Sequence, residues 1–299
     1  MTGSFAACLA FEVRREFGGV WKVKKVSRLI AFALLLPVAS AGELSKETLK
    51  AWDDYVRAAN SCMMARLRPD QPFLWLDQHP QFFPQVHAGH IVVTPMTDPN
   101  PKHVPNGLIH HWIGAVFLPG AHLDDVFSVI RDYDHYRDFY PAAVLASRAL
   151  GQDGAGDLFS LLMISRAALA RTAFMSDDQA NYIEVDPHRW YSISYTTRVQ
   201  EIEDYGDSDQ HTLPPDQGHG YIWRLYSIAR YEQRDGGVYL EMEAMALSRD
   251  VPVAVRWLVD PIVRQLARGS MVTTLRRTED AVGALCAAAH TSAQATGQR

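Results

Sequence analysis

Residues 220–247 read GYIWRLYSIARYEQRDGGVYLEMEAMAL, and this stretch decides the fold. Apolar and polar residues alternate on both sides of Asp235-Gly236-Gly237, so each half predicts a β-strand with one face toward a core. The Gly pair supplies the positive φ values that a tight hairpin turn needs. From residue 252 to residue 285 the apolar period becomes helical, and Pro261 is predicted to kink or restart this helix. The stretch therefore predicts a hairpin that leads into a long amphipathic helix.

The residues before the hairpin supply the rest of a sheet. One strand is predicted at 108–117, two short helices at 122–130 and 133–140, and four strands at 143–150, 157–165, 170–177 and 190–202. A helix at 44–67, capped by Ser45, a short strand at 90–94 and a loop at 97–106 precede them. We therefore predict an α+β chain. Its curved antiparallel β-sheet wraps around a long C-terminal α-helix, and an N-terminal helical extension precedes the sheet.

Four parts of the chain differ in composition. They are a leader with a signal peptide (1–41), an N-terminal helical extension and loop (42–106), the sheet-and-helix domain (107–285) and a polar, disordered tail (286–299). In the leader, a basic segment and an apolar run at 29–36 precede Ala39-Ser40-Ala41, which predicts export to the periplasm or beyond with cleavage after Ala41. An uncleaved membrane anchor is the alternative, although the apolar run is shorter than the roughly 20 residues that span a bilayer.

Charge and cysteine content narrow the class of partner. Residues 1–41 hold six basic and two acidic residues, so the rest of the 299 residues hold 23 basic against 32 acidic ones, a net charge of −9. This balance argues against nucleic acid or anionic lipid headgroups as the main partner. Cys62 and Cys286 remain after cleavage. A disulfide between them and two separate thiols are both consistent with the sequence.

Three segments of the chain resemble a known superfamily. They are DYDHYRDFYP (132–141), the hairpin from YIW (221–223) to Glu243, and LSRDVP (247–252) leading into WLVDP (257–261). In their order and spacing they resemble the START-like superfamily, also called Bet v 1-like, SRPBCC, or polyketide cyclase/dehydrase and lipid transport. The resemblance covers 107–284 and leaves 43–106 without a counterpart.

The resemblance implies a helix-grip fold with a hydrophobic cavity between the sheet and the C-terminal helix. It also implies a hydrophobic small-molecule ligand, such as a lipid, a quinone or a polyketide-like compound. A minority of the superfamily are cyclases or hydrolases, but their catalytic residues are not shared. No catalytic residue is therefore transferred to this chain, and no metal or cofactor is predicted.

Aromatic side chains, several with polar tips, and an adaptable methionine are the predicted ligand contacts. They are Trp112, Tyr191, Tyr195, Tyr221, Trp223, Met242 and Trp257. An ordinary hydrophobic core explains these residues almost as well.

The charged residues of the hairpin allow two interpretations. Glu241 and Glu243 share a face of one strand, and Arg224 and Arg230 share a face of its partner, which predicts a solvent-facing ladder of ion pairs. The alternative places Arg224 inside the cavity, where its guanidinium would bind a carboxylate or phosphate of the ligand.

Histidines and a second acidic cluster give weaker signals. His110 and His111 are neighbours on a strand and point to opposite faces, so we expect one buried and one exposed ring. His87 and His90 have a spacing that suits a metal, but no carboxylate or cysteine lies near them in the sequence. The remaining cluster consists of Asp132, Asp134, His135 and Asp138. Helix capping and surface charge explain it better than acid–base catalysis does.

Together these features predict an exported protein that binds or transfers a hydrophobic small molecule, with transient membrane contact for ligand exchange. An enzyme of cyclase or hydrolase type, using Asp or His residues in the same cavity, is the alternative. A third hypothesis is a structural or assembly role for a filled sandwich. The first hypothesis requires a dry hollow between the helix and the sheet.

Overall fold

A computed structural model describes residues 42–154, 156–165, 172–251 and 253–296, so the leader and its predicted cleavage site lie outside the described residues. The N-terminal part contains β1 (Gly42–Glu43), α1 (Lys46–Arg66), a 3-10 turn (Leu76–Gln78), α2 (Phe83–His87), β2 (Val92–Pro95) and β3 (Lys102–Val104). The main part begins with β4 (Gly107–Pro119), α3 (Leu123–Ile130), a 3-10 turn (Tyr133–His135) and α4 (Tyr136–Phe139). It continues with β5 (Val144–Asp153), β6 (Gly156–Ser165), β7 (Thr172–Asp186), β8 (Arg189–Glu203), β9 (His211–Thr212), β10 (Gln217–Gly218), β11 (Arg224–Arg234), β12 (Gly237–Arg249) and α5 (Val253–Thr296).

One curved antiparallel sheet of ten strands forms the centre of the molecule. Its order is β2-β4-β12-β11-β8-β7-β6-β5, with β3 paired to β4 and β9 paired to β8. We call the face that contacts α5 the inner face, and the face that contacts α1 the outer face. The sequence-based prediction of a sheet that grips a long C-terminal helix is confirmed.

The turn of the β11–β12 hairpin uses one aspartate and one glycine. Asp235 and Gly236 adopt φ values of 55° and 77°, which is the left-handed conformation that such a two-residue turn needs. Gly237 already belongs to β12, and a Cβ there would lie 2.4 Å from the carbonyl oxygen of Leu118. The second glycine therefore serves close packing between strands and not the turn itself.

The C-terminal helix differs from the prediction at two points. It runs through Pro261 as one element, so the predicted restart does not occur, while a kink at this residue stays a prediction. The proline itself is exposed. The helix also continues to Thr296, beyond the predicted domain end at residue 285.

The part of α5 from Ala267 onward packs against the inner face. Met271, Leu275 and Val282 are buried in one hydrophobic cluster with residues of β4, β12 and α3. The helix approaches β4 closely at Gly114, where a Cβ would lie 2.6 Å from Leu275 Cδ1 and 2.9 Å from Met271 Sδ. The missing side chain at Gly114 therefore sets the distance between helix and sheet.

The variant Gly114→Val is expected to lower the free energy of unfolding by about 1–3 kcal/mol, because the added side chain overlaps the helix. Denaturant titration measures this change. Gly269→Ala is the control, since a Cβ at Gly269 meets no atom within 4 Å. Because alanine favours the helix, the control should gain about 0.5–1 kcal/mol. If Gly114→Val is as stable as the wild type, this result would contradict the close contact between the helix and β4 at Gly114.

The N-terminal part covers the outer face. Trp52 and Met63 of α1 are buried together with residues 73–76, and they share one hydrophobic cluster with Tyr239 and Met245 of β12. The central strands are therefore buried on both sides, which the sequence did not predict.

Cys62 on α1 and Cys286 on α5 are free thiols. The two helices lie on opposite faces of the sheet. The structure therefore has two separate thiols and no disulfide between Cys62 and Cys286.

Candidate functional site

The inner face of the sheet carries small side chains at its centre. Strand pairing aligns Ala180 of β7, Ser194 of β8, Ser227 of β11 and Ala244 of β12 in one row that ends at Trp112 of β4. Alanine and serine fill little of the space above a sheet, because their side chains end at the first or second heavy atom. We call the central part of this surface the floor, defined by Ser194, Ser227, Met242, Ala244 and Ala246.

Solvent accessibility indicates the same space. All five floor residues keep part of their surface accessible, whereas outer-face residues of the same strands, such as Ile228 and Met245, are buried. On α5, Trp257 and Ile262 are 76% and 37% exposed, and the described residues that join the inner core begin at Ala267. The described residues of α5 before Ala267 therefore join no inner-core cluster.

Buried tyrosines close the inner face on the side of α3 and α4. The hydroxyl groups of Tyr133 and Tyr182 lie 3.1 Å apart, and those of Tyr231 and Ser192 lie 3.0 Å apart. Phe127 packs edge-on against the rings of Tyr182 and Tyr231. Burial raises the pKa of Tyr182 to about 12, so its hydroxyl stays protonated at physiological pH.

One carboxyl group lies on the inner face without a cationic partner among the described residues. Asp178 is 7% exposed and sits between Phe159 of β6 and Thr196 of β8. The Ser176 hydroxyl donates a hydrogen bond to it at 2.6 Å. Burial, assisted by the charge of Asp177, raises the pKa of Asp178 to about 7.

The sequence analysis missed Asp178 because the predicted strand ended at residue 177. Two consecutive aspartates are typical of a turn, but β7 continues to Asp186. The available signal was Ser176, two residues before Asp178 and therefore on the same face of the strand.

The predicted ligand contacts divide between the two faces. Trp112 and Met242 lie on the inner face at the floor. Tyr191, Tyr195 and Trp223 belong to the outer hydrophobic cluster, under the N-terminal part. Alternation along a strand identifies which residues share a face, but it does not identify which face meets the helix.

The other two predicted contacts are exposed. Tyr221 is 47% exposed in the loop before β11, and Trp257 is 76% exposed at the start of α5. The structure therefore brings two of the seven predicted residues together at the floor.

The predicted solvent-facing ladder of charges is wrong. Arg230, Glu241 and Glu243 are 1%, 0% and 7% exposed, because the N-terminal part covers them. Arg230 donates hydrogen bonds to Glu241 at 3.0 Å and to Glu243 at 3.1 Å. Glu241 also accepts the backbone N–H groups of Trp75 and Leu76 at 2.8 and 2.7 Å.

This arrangement extends to α1. His111 Nε2 lies 2.9 Å from Glu243, and His111 Nδ1 lies 2.7 Å from the Tyr55 hydroxyl. We call Tyr55, His111, Arg230, Glu241 and Glu243 the buried charge network. It joins the outer face of the sheet to the N-terminal part through hydrogen bonds at both ends.

Arg224 does not enter the space beneath α5. Its guanidinium pairs with Asp216 at 2.5 and 3.1 Å, and Arg224 lies on the outer face opposite Leu247 of β12. The alternative prediction, that Arg224 binds an anionic ligand inside the cavity, is therefore wrong.

Glu243 makes the stability of the buried charge network depend on pH. Burial opposes its ionisation, but hydrogen bonds from His111 and Arg230 outweigh burial and lower its pKa from 4.5 to about 2. A carboxyl with a depressed folded-state pKa stabilises the fold above its unfolded pKa and loses that contribution on acidification. We expect the difference in melting temperature between wild type and Glu243→Gln to shrink as the pH falls from about 4.5 to about 2. A constant difference across this range would contradict the assignment.

Both strand histidines are buried, on opposite faces as predicted, so the expectation that one ring is exposed is wrong. His110 lies on the inner face with its Nε2 3.0 Å from the Ser248 hydroxyl, and burial lowers its pKa to about 4. His87 contacts the Tyr239 hydroxyl at 2.7 Å, while His90 is exposed. In the described ranges, no three His, Cys, Asp or Glu side chains come together in a way that suits a metal ion.

The acidic cluster around α4 is used for local structure. Asp132 and His135 form an exposed pair at 2.7 Å, and Asp134 accepts the backbone N–H of Ala149 at 2.9 Å. These contacts agree with the surface-charge explanation, but neither Asp132 nor His135 makes a side-chain cap at the start of its helix.

A separate cleft of about 400 Å³ lies at the end of the sheet. Its lining includes Glu43, Thr48, Trp223, Arg249 and Arg256, where the start of α1 meets the start of α5. None of the floor residues lines this cleft, so it is distinct from the space beneath the helix.

The strand order and the terminal helix define the class. From β4 through two short helices, the strands β5–β8, the β11–β12 hairpin and α5, the chain has the helix-grip fold of START-like proteins. No family model and no curated protein matches its sequence. Among the described residues, no helix has both the length and the hydropathy that a membrane span requires.

Solved structures of START-like proteins are similar to this chain. A STAR-related lipid transfer protein from Xanthomonas axonopodis is 19% identical, with a TM-score of 0.39 over 62% of this chain and 96% of that one. A START superfamily protein from Mycobacterium smegmatis is 12% identical, with a TM-score of 0.37 over 66% and 99%. The Zhui aromatase/cyclase from Streptomyces sp. R1128 is 12% identical, with a TM-score of 0.37 over 58% and 93%. These TM-scores lie below 0.5, so the fold assignment rests on the topology of this chain itself.

Proposed function

We propose that this protein binds a hydrophobic small molecule between the floor and the part of α5 before Ala267, and that it carries or transfers this molecule. The observation that supports the proposal is the partly accessible surface of the floor, together with a stretch of α5 whose described residues join no inner-core cluster. An apolar ligand in this space gains roughly 25 cal/mol for each Å² of apolar surface that it removes from water.

The polar groups of the inner face favour binding over catalysis. General acid–base chemistry needs titratable groups within hydrogen-bond reach of the reacting atoms. His110 is kept neutral by burial, and Asp157 is held by an ion pair with Arg131 at 2.8 Å. Asp178 is then the remaining titratable group of these three, and the Ser176 hydroxyl is its described hydrogen-bond partner.

We also propose that the ligand is exchanged at a membrane surface. Trp257, Pro261, Arg264 and Arg268 follow one another at helical spacings of four, three and four residues, and all are exposed. Indole and guanidinium groups suit the interface of a bilayer that contains anionic lipid. Cosedimentation with anionic vesicles tests this contact, and the Arg264→Gln/Arg268→Gln double variant should bind them more weakly.

Native mass spectrometry of protein isolated without organic solvent tests the main proposal. We expect an added mass that organic extraction removes, and saturable binding of the neutral dye Nile red by the extracted protein. A protein without added mass that takes up neither Nile red nor a fluorescent fatty alcohol would contradict it and favour a filled sandwich.

We further propose that the chain is exported with loss of residues 1–41. The support is the basic and apolar pattern of the leader with Ala39-Ser40-Ala41. N-terminal sequencing of protein from the producing cell should then begin at Gly42. A first residue within the leader would contradict cleavage at this position.

A further inference from the structure

We propose that Asp178 determines which ligand is accepted: its carboxyl group binds the hydroxyl of an uncharged amphipathic alcohol and disfavours molecules with an anionic head. This inference rests on the proposed function, because it concerns the same space beneath α5. It adds the chemical class of the ligand and the residue that selects it.

Asp178 borders the floor. On β7 it lies two residues from Ala180, and Ala180 pairs directly with Ser194 of the floor. Residues two apart on a strand share a face, and diagonal neighbours across a pair lie about 7–8 Å apart. A ligand that fills the floor therefore brings its polar end within reach of the carboxyl group.

Asp178 lacks the partners that a buried carboxyl group normally has. In the part of the chain that the structure describes, the Ser176 hydroxyl at 2.6 Å is its one hydrogen-bond donor. Asp157, on the neighbouring strand, receives two hydrogen bonds from Arg131 at 2.8 and 3.0 Å and one from Gln152 at 2.9 Å. Because buried carboxyl groups are costly without such partners, a donor from the ligand completes the environment of Asp178.

The charged groups around Asp178 are acidic or already paired. Asp177, on the opposite face of β7, pairs with Arg198 at 2.8 Å. Asp157 of β6 pairs with Arg131 at 2.8 Å. No described cation therefore neutralises Asp178.

In the described ranges, the elements beyond these strands add no cation either. Glu201 of β8, past the bulge at 197, accepts the backbone N–H groups of residues 219–221 at 2.7–3.2 Å. Arg264 and Arg268 of α5 are exposed. An anionic ligand head would thus meet a carboxyl group with no nearby compensating charge, and like charges in contact cost several kcal/mol.

Hydroxyl groups dominate the surroundings of Asp178. Ser176 and Thr196 are buried beside it, and Ser194 and Ser227 remain partly accessible on the floor. A carboxyl group with a pKa of about 7 can hydrogen-bond an alcohol in either protonation state. An ammonium head would have to lose its hydration against a carboxyl group that is only partly ionised at neutral pH. These features select the alcohol.

Competition with Nile red by dodecanol, dodecanoic acid and dodecylamine tests the inference at pH 8. We expect the wild type to prefer the alcohol over the acid by at least about tenfold, from like-charge repulsion. In Asp178→Asn this preference should fall below about threefold, mainly because the acid binds better. Asp177→Asn is the matched control, since this neighbouring carboxyl group lies on the outer face, and its preference should equal that of the wild type.

Three outcomes would overturn the inference while leaving the proposed function intact. They are equal binding of alcohol and acid by the wild type, an unchanged preference in Asp178→Asn, and tighter binding of the amine than of the alcohol. Denaturant titration of both variants confirms that they are folded. If neither Nile red nor any of the three compounds binds to the wild type, the proposed function itself fails.

Discussion

The variant Arg230→Met is expected to lower the free energy of unfolding by about 3–5 kcal/mol, the largest change that we predict for a single substitution. Arg230 is the cation that neutralises Glu241 and Glu243, and all three groups are almost completely buried. Removal of the guanidinium leaves two uncompensated carboxylates between the sheet and the N-terminal part. Denaturant titration measures the loss, and limited proteolysis should show earlier cleavage in α1.

The matched control for this variant is Arg198→Met. Arg198 also bridges to a carboxylate, Asp177, at 2.8 Å, but its side chain is 42% exposed. Exposed pairs contribute at most about 1 kcal/mol, so this variant should remain close to the wild type. Similar losses in the two variants would show that burial of the charge network is not what makes Arg230 important.

The variant Ala244→Phe is expected to abolish most ligand binding while leaving the fold intact. Ala244 lies at the centre of the floor, between Ser227 and Trp112, and keeps part of its surface accessible. A phenyl ring here occupies the space that the ligand needs, so the affinity for Nile red should fall at least about tenfold, or about 1.4 kcal/mol. The free energy of unfolding should stay within about 1 kcal/mol of wild type if the ring enters the space that the proposal assigns to the ligand.

Ala115→Phe reverses this pattern and serves as the control. Ala115 is 1% exposed in the outer hydrophobic cluster, so a phenyl ring there overpacks a filled region and should cost about 1–3 kcal/mol. Binding of Nile red should be retained. If Ala244→Phe loses stability in the same way and Nile red binding persists, the floor is filled and the carrier proposal is wrong.

Local pattern was sufficient to predict most of the fold. The alternation around Asp235-Gly236-Gly237 predicted the hairpin, and the change of period after residue 252 predicted the helix. Met242, one of the predicted ligand contacts, lies on the inner face. These predictions depend only on residues close together in the chain.

The candidate site was predicted less well because it depends on what covers each face. Residues 43–106 had no counterpart in the resemblance and were not assigned to either face of the sheet, so the charges of Arg230 and Glu241 were assigned to solvent and Tyr191 to the cavity. When a strand is buried on both sides, its sequence does not indicate which neighbouring element packs on each face. Asp178 was missed for a different reason, since consecutive aspartates are rare inside a strand.

The support of α5 has a mechanical consequence. Its start is tied to the end of β12 by the Arg256–Asp250 pair at 2.8 Å, and its inner-core contacts begin at Ala267. The described residues between these points join no inner-core cluster, so this stretch resembles a beam supported at both ends. Pro261 lies within the stretch and lacks the N–H that would stiffen it. Deflection of this stretch would admit a guest molecule without separating any two strands, so the barrier to exchange would be one of bending and not of unfolding.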